Sequence, residues 1–174
     1  MKRIGLLLTL FTMVVLSCKN NNQLQATTYS AQEDLIRTNF NNFIEASWNA
    51  KDMDSLKSIV TENYTRIQNG IKVVHNQSEM QALMNVYFTG FPDAKMTIDT
   101  VVVKDRKLFT HWTLNGSNTG VFSGTPATGK KIELKGCVTA SFSKKGKLMQ
   151  EEVYYNELEL LQQLGYTLVP PVLE

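Results

Sequence analysis

Histidine and cysteine are scarce in this chain, two of each among 174 residues, as is tryptophan. His75 and His111 stand far apart in unrelated contexts, and neither Cys18 nor Cys137 is spaced or partnered as a ligand, so no metal site is expected. A serine or cysteine hydrolase would need a nucleophile elbow, and none is present. Positive charge is scarce once the first residues are set aside. The net charge is +2, and without Lys2 and Arg3 the Lys+Arg total falls from 18 to 16 against 16 Asp+Glu. With no excess of cations and no aromatic-basic cluster, no nucleic-acid partner is expected. Long apolar runs are missing too: the stretch from Ile4 to Leu16 is too short to span a bilayer as a stable helix.

One motif comes close to a phosphate-binding loop and fails. Gly124-Thr125-Pro126-Ala127-Thr128-Gly129-Lys130-Lys131 has the spacing of G-x-x-x-x-G-K-[ST], but Lys131 replaces the hydroxyl that would hold Mg²⁺. A strand pattern also follows where a helix N-terminus should face the phosphates.

The N-terminal run behind Lys2 and Arg3 has the form of a secretory signal. Val15-Leu16-Ser17-Cys18 resembles the lipobox of bacterial lipoproteins, which implies cleavage before Cys18 and acylation of Cys18. The mature chain would then be anchored to a lipid bilayer, facing the periplasm or at the cell surface. A plain signal peptide with an incidental cysteine is the simpler alternative. On the lipoprotein reading, residues 1–17 are signal peptide, the polar Asn/Gln-rich residues 18–29 a flexible tether, and residues 30–174 one folded domain. Cys137 would be the only thiol left and reads as a small buried residue of a strand.

Helix signals dominate the first half. Ser30-Ala31-Gln32-Glu33 has the capping-box pattern, and Leu35, Ile36, Phe40, Phe43, Ile44 and Trp48 fall on one helical face. Asp52 or Asp54 can cap a short second helix with Leu56, Ile59 and Val60. Tyr64 and Ile67 begin extended chain around the turn Asn69-Gly70. Asn76 to Glu79 starts a third helix, striped by Met80, Leu83, Met84, Tyr87 and Phe88 and ended by Gly90 and Pro92. Strands follow over Met96–Val103, Leu108–Asn115, Ile132–Ser143 and Leu148–Tyr155, the middle ones joined by a glycine-cornered meander. The two lysine clusters near Asp105 and at Lys144–Lys147 read as solubilising hairpin tips. Asn156 stands as the N-cap of a last helix that Gly165 stops.

Helices first and a long antiparallel sheet after them imply an α+β cone: a curved sheet wrapped around N-terminal helices, leaving a pocket. The segments Trp112-Thr113, Thr119-Gly120, Phe122-Ser123-Gly124, Pro126-Ala127-Thr128-Gly129-Lys130 and Leu160-Leu161-Gln162-Gln163-Leu164-Gly165 resemble the SnoaL-like polyketide cyclase (ester cyclase) family. That family has the cone-shaped, cystatin-like or nuclear-transport-factor-like fold. The resemblance covers nearly the whole mature chain and implies cofactor-free acid–base chemistry on a carbonyl compound, in which a base removes an α-proton and the pocket holds the enolate.

The resemblance also marks departures. The family's acidic residue at the end of the last strand corresponds to Asn156, and an amide cannot take up a proton near neutral pH. Asn118 stands where a histidine is common, and His111 where many members carry an arginine. If the last strand alternates with Asn156 at the pocket mouth, Gln150, Glu152, Tyr154 and Asn156 face inward and Glu151 faces away. Glu152 and His111 are then the candidate catalytic residues. Trp48, Phe88, Trp112, Asn118, Tyr154 and Asn156 are the candidate pocket residues. Asn156 also reads simply as a helix cap, Glu152 as a solvated strand carboxylate, and His111 as a hydrogen-bonded strand residue. Two functions follow: a non-catalytic pocket for a small, mainly apolar ligand, or a cyclase or isomerase working through Glu152 or His111. A homodimer through the open face of the sheet is a third expectation.

Overall fold

The computed structural model describes residues 21–171. The expected signal peptide and Cys18 lie outside them. Helix α1 spans Asn21–Asn42 and continues as a π-helical segment, Phe43–Asn49. The capping box at Ser30 therefore lies inside α1, and the stretch expected to be a flexible tether is helical from Asn21, because no Gly or Pro interrupts it. The π-helical segment widens the backbone, with Ala50 N donating to Glu45 O at 2.9 Å, and buries Ser47 beside Trp48. Ile36, Phe40, Phe43, Ile44 and Trp48 are buried as the spacing predicts, whereas Leu35 is exposed.

Helix α2 (Met53–Ile59) is capped by the Asp52 side chain, which accepts from Asp54 N and Ser55 N. The hairpin β1 (Val60–Gln68) and β2 (Ile71–Val74) turns at Asn69 and Gly70, both at positive φ. Helix α3 (Gln77–Gly90) starts on an Asn76 cap. Then come β3 (Lys95–Ile98), β4 (Val102–Lys104), β5 (Lys107–Ser117), β6 (Lys131–Phe142), β7 (Leu148–Tyr155) and α4 (Glu157–Leu164). The single strand expected over Met96–Val103 is two short ones. Asn156 caps α4 by accepting from Glu159 N, and Gly165 closes it in the left-handed conformation.

The strands form one curved, unclosed sheet in the order β2-β1-β7-β6-β5-β3, with β4 also on β5. All pairings are antiparallel except β1 with β7, which is parallel. Leu108, Trp112, Leu114, Leu134, Val138, Ala140 and Val153 line the concave face and pack on the α1 stripe. That burial is the main cohesive term of the fold. Cys137, expected to be buried, is exposed on the convex face, since the inward parity of β6 falls on the even-numbered residues from Ile132 to Phe142.

Gly136 lies directly opposite Trp112. A Cβ built there would sit 2.3 Å from the Trp112 indole and 2.6 Å from Tyr154 O, so only glycine leaves room for the ring. Gly136→Ala should lower stability by about 2 kcal/mol through overpacking, read as a fall in Tm; an unchanged Tm would show that the indole has slack.

Candidate active site

Strand β1 sends Tyr64, Arg66 and Gln68 into the concave side, and β7 sends Glu151, Val153 and Tyr155. The parallel register sets Arg66 beside Glu151. Glu151 Oε2 accepts from Arg66 Nη1 at 3.0 Å and from the Tyr64 hydroxyl. All three side chains are buried. The guanidinium lies 5.9 Å from the centre of the Trp48 ring, within cation–π reach. A second polar chain adjoins it: Gln68 Nε2 donates to the Tyr155 hydroxyl at 2.8 Å, which is 3.1 Å from the Tyr87 hydroxyl. Among the described residues, Arg66 Nε and Gln68 Oε1 are buried without partners.

Burial, reinforced by the adjacent Glu151 carboxylate, pushes the Tyr64 phenol well above its usual range. Burial also raises Tyr87, and it raises Tyr155 with help from Tyr87. Burial alone would lower the Arg66 pKa, but Glu151 beside it raises it on balance. The cluster therefore holds a charged guanidinium against a carboxylate, ringed by neutral phenols.

The chamber around this cluster is filled. Phe40, Trp48, Met96, Trp112 and Val138, with Arg66 and Glu151, leave a space of about 10 Å³. A second hollow, bounded by Trp48, Tyr87, Phe88, Met96 and Leu114, is also about 10 Å³. Each has room for roughly one water molecule, against the ~300 Å³ or more of a small-molecule site. Trp48 and Met96 border both spaces and form the partition between them.

The structure brings some of the sequence-predicted residues together and separates others. Trp48 and Trp112 line the chamber, and Phe88, half-buried, borders the second hollow in edge contact with Trp48. Glu152 does not face inward: it lies on the convex side, its carboxylate accepting from Gln150 Nε2 at 3.0 Å. Tyr154 is exposed on the same side. Alternation holds from Gln150 to Tyr155, but Asn156 is turned outward as the α4 cap, so Glu151, Val153 and Tyr155 are the inward set; only toward Leu148 does the register shift, leaving Met149 as an extra residue. Asn156 is exposed and borders neither of the two hollows; its oxygen is engaged as the α4 cap. His111 is exposed on the convex face, in a shallow depression with Asp99, Lys135, Cys137 and Tyr154.

Asn118 is fully buried but serves the loop between β5 and β6. Its amide nitrogen donates to Gly90 O and Gly120 O, and its oxygen accepts from Thr128 N and Thr128 Oγ1. With every polar atom of the amide engaged, it faces no ligand space. The site residues that sequence reasoning missed are Tyr64, Arg66, Glu151 and Tyr155. The available signal was Val153, whose apolar side chain marks the inward parity of the strand and places Glu151, two residues before it, on the same face. Among the described residues, no three His, Cys, Asp or Glu side chains converge as a metal site.

A family model described as SnoaL-like polyketide cyclase matches residues 38–164. The chain belongs to the SnoaL-like polyketide cyclase family. Its fold is similar to the crystal structure of a candidate SnoaL-like polyketide cyclase from Jannaschia sp. CCS1 (TM-score 0.69, 18% identity, 79% of this chain and 94% of that one). TsrD from Streptomyces laurentii superposes with a TM-score of 0.67 at 22% identity, over 76% and 96% of the two chains. IdmH from Streptomyces antibioticus, a candidate polyketide cyclase, gives 0.65 at 16%, over 75% and 99%. At such identities the likeness is one of fold. No curated protein sequence matches the chain.

Arg66→Met should destabilise the fold by about 3–5 kcal/mol, because it strands the Glu151 carboxylate; a loss under about 1 kcal/mol by urea titration would contradict the pairing. The pH dependence has a definite sign. Tyr64, Tyr87 and Tyr155 have raised folded-state pKa values, while unfolded tyrosine titrates near 10. Their contribution is complete below about pH 10 and falls above it, as the unfolded chain loses protons the folded one keeps. The urea midpoint should drop between pH ~9.5 and ~11, and Tyr64→Phe should make that drop shallower; a flat alkaline limb would contradict it.

Proposed function

We propose that this is a membrane-tethered member of the family that receives a small, mainly apolar molecule in its aromatic chamber and performs no proton transfer on it. The observation that carries the reading is the state of the chamber's one buried carboxylate. Glu151 Oε2 accepts from Arg66 and from Tyr64, so both lone pairs of that oxygen are taken by buried donors, one of them charged. A general base must instead meet the substrate's proton with a free lone pair.

Entry of a ligand requires the partition of Trp48 and Met96 to turn aside, which would merge the two small hollows. Trp48 meets Tyr87 and Phe88 edge-on, each at 5.9 Å from ring centre to ring centre, so its turning would require those rings to shift with it. The unpartnered Arg66 Nε could donate to a carbonyl on an otherwise apolar guest, and Gln68 Oε1 could accept from a hydroxyl on it. The tether is the acylated Cys18. No helix among the described residues is long and apolar enough to cross a membrane.

Hydrophobic carbonyl compounds, screened by thermal unfolding, should include some that raise Tm by a few degrees at about 100 times Kd. The same compounds should change Trp48 and Trp112 fluorescence with the same midpoint and be recovered chemically unchanged. No stabilisation by any compound would overturn the pocket reading. Turnover abolished by Glu151→Gln would overturn the non-catalytic one in favour of a cofactor-free cyclase or isomerase. Cys18→Ala should release the protein from the membrane fraction; retention would overturn the tether.

A further inference from the structure

The β4–β5 turn carries Lys104, Arg106 and Lys107, and the β6–β7 turn carries Lys144, Lys145 and Lys147. Far apart in sequence, the two turns meet at one end of the cone, where Phe142 N donates to Arg106 O at 2.9 Å. That end gathers six of the chain's 18 Lys and Arg residues. Asp105 is the only carboxylate on either turn, and among the described residues none of the six cations forms an ion pair. Like charges so close repel one another, a cost that solubility alone does not explain.

Helix α1 is fastened beside this end of the cone, at the residue before β4 and at the β6–β7 turn. Arg37 donates to Val101 O, Asn39 Nδ2 donates to Gly146 O at 2.8 Å, and Leu35 lies against Gly146. From these contacts α1 runs into the core toward Trp48, and in the other direction Gln32 and Glu33 lie beside the basic turns. Between helix and turns lies an open groove of about 570 Å³, lined by Gln32, Glu33, Ile36, Lys104, Arg106 and Lys144 among others. Gln32 Nε2 is buried there without a partner among the described residues. Val102, Phe109 and Met149, each two residues from a turn, are exposed apolar side chains. Cations interspersed with exposed apolar groups match the interfacial layer of an anionic bilayer.

We propose that this end of the cone is a membrane-facing surface that seats on the phosphate groups of anionic lipids and so sets the orientation of the tethered domain. The proposal rests on the tether reading above, since an anchor at residue 18 is what would bring this end to the bilayer. It commits to lipid as the source of the phosphate.

The full chain is placed on phosphatidylcholine vesicles with and without phosphatidylglycerol, and amide hydrogen exchange is followed across both turns. On vesicles with about 30% phosphatidylglycerol, exchange at 104–107 and 143–147 should slow about fivefold or more, and the protection should vanish in about 0.5 M NaCl. A variant with Lys104, Arg106, Lys144 and Lys145 changed to Gln should stay on the vesicles without that protection. A control with Lys95, Lys130, Lys131 and Lys135 changed to Gln should keep it. Equal exchange on both vesicle types, with the chain still bound, would overturn the surface and leave the tether standing. Failure to bind either vesicle would overturn both. Equal protection by inorganic phosphate without vesicles would overturn lipid as the source.

Discussion

A guanidinium buried against a carboxylate is the constraint around which this cone is arranged. Arg66 and Glu151 lie on neighbouring strands whose parallel pairing is the exception in an otherwise antiparallel sheet, and that pairing sets them side by side. Two charges removed from water are tolerated only with close geometry and further hydrogen bonds. Tyr64 supplies one such bond to Glu151, and Trp48 presents its ring face to Arg66. The other residues around the first hollow are apolar, so the ion pair stands in an aromatic and aliphatic wall, adjoined by the Gln68–Tyr155–Tyr87 chain. Residues from α1, β1 and β7 all converge on it, and it thereby ties the helix to the parallel seam of the sheet.

The same ion pair limits the chemistry. Proton transfer at carbon needs a base in a chamber wide enough for a guest; here the Glu151 carboxylate accepts from Arg66 and Tyr64, and the chamber holds about one water at each of two points. Asn156, at the position where the resemblance implies an acid, is turned to capping α4. Asn118 is turned to pinning the loop that closes over the end of α3. Both amides do structural work at positions that the family resemblance marks for chemistry, and the two changes are consistent with one another.

Much of the fold was legible because its signals are local. Asp52, Asn76 and Asn156 cap helices as their side chains predict, and Gly165 ends α4 at φ 103°. These devices depend on residues three or four apart and nothing else. The α1 stripe was equally plain in its spacing. The candidate site was less so, because it depends on which side of β7 faces the helix. Leu148 and Val153 are both buried, five residues apart, which strict alternation forbids; the extra residue at Met149 reconciles them, and the parity of Val153 sets Glu151 inward in place of Glu152. Nothing in the run Leu148-Met149-Gln150-Glu151-Glu152 announces a bulge. The meeting of two distant lysine turns, and the filling of the chamber by Trp48 and Met96, are likewise properties of tertiary packing alone.

The engagement of Glu151 is the claim on which the rest turns, and a double-mutant cycle measures it directly. Unfolding free energies of the wild type, Tyr64→Phe, Glu151→Gln and the double variant give the coupling between phenol and carboxylate. A coupling of about 1 kcal/mol or more is predicted for a buried, charge-assisted bond. A coupling indistinguishable from zero would mean that Glu151 is not held by Tyr64, and would contradict the engagement on which the non-catalytic reading rests.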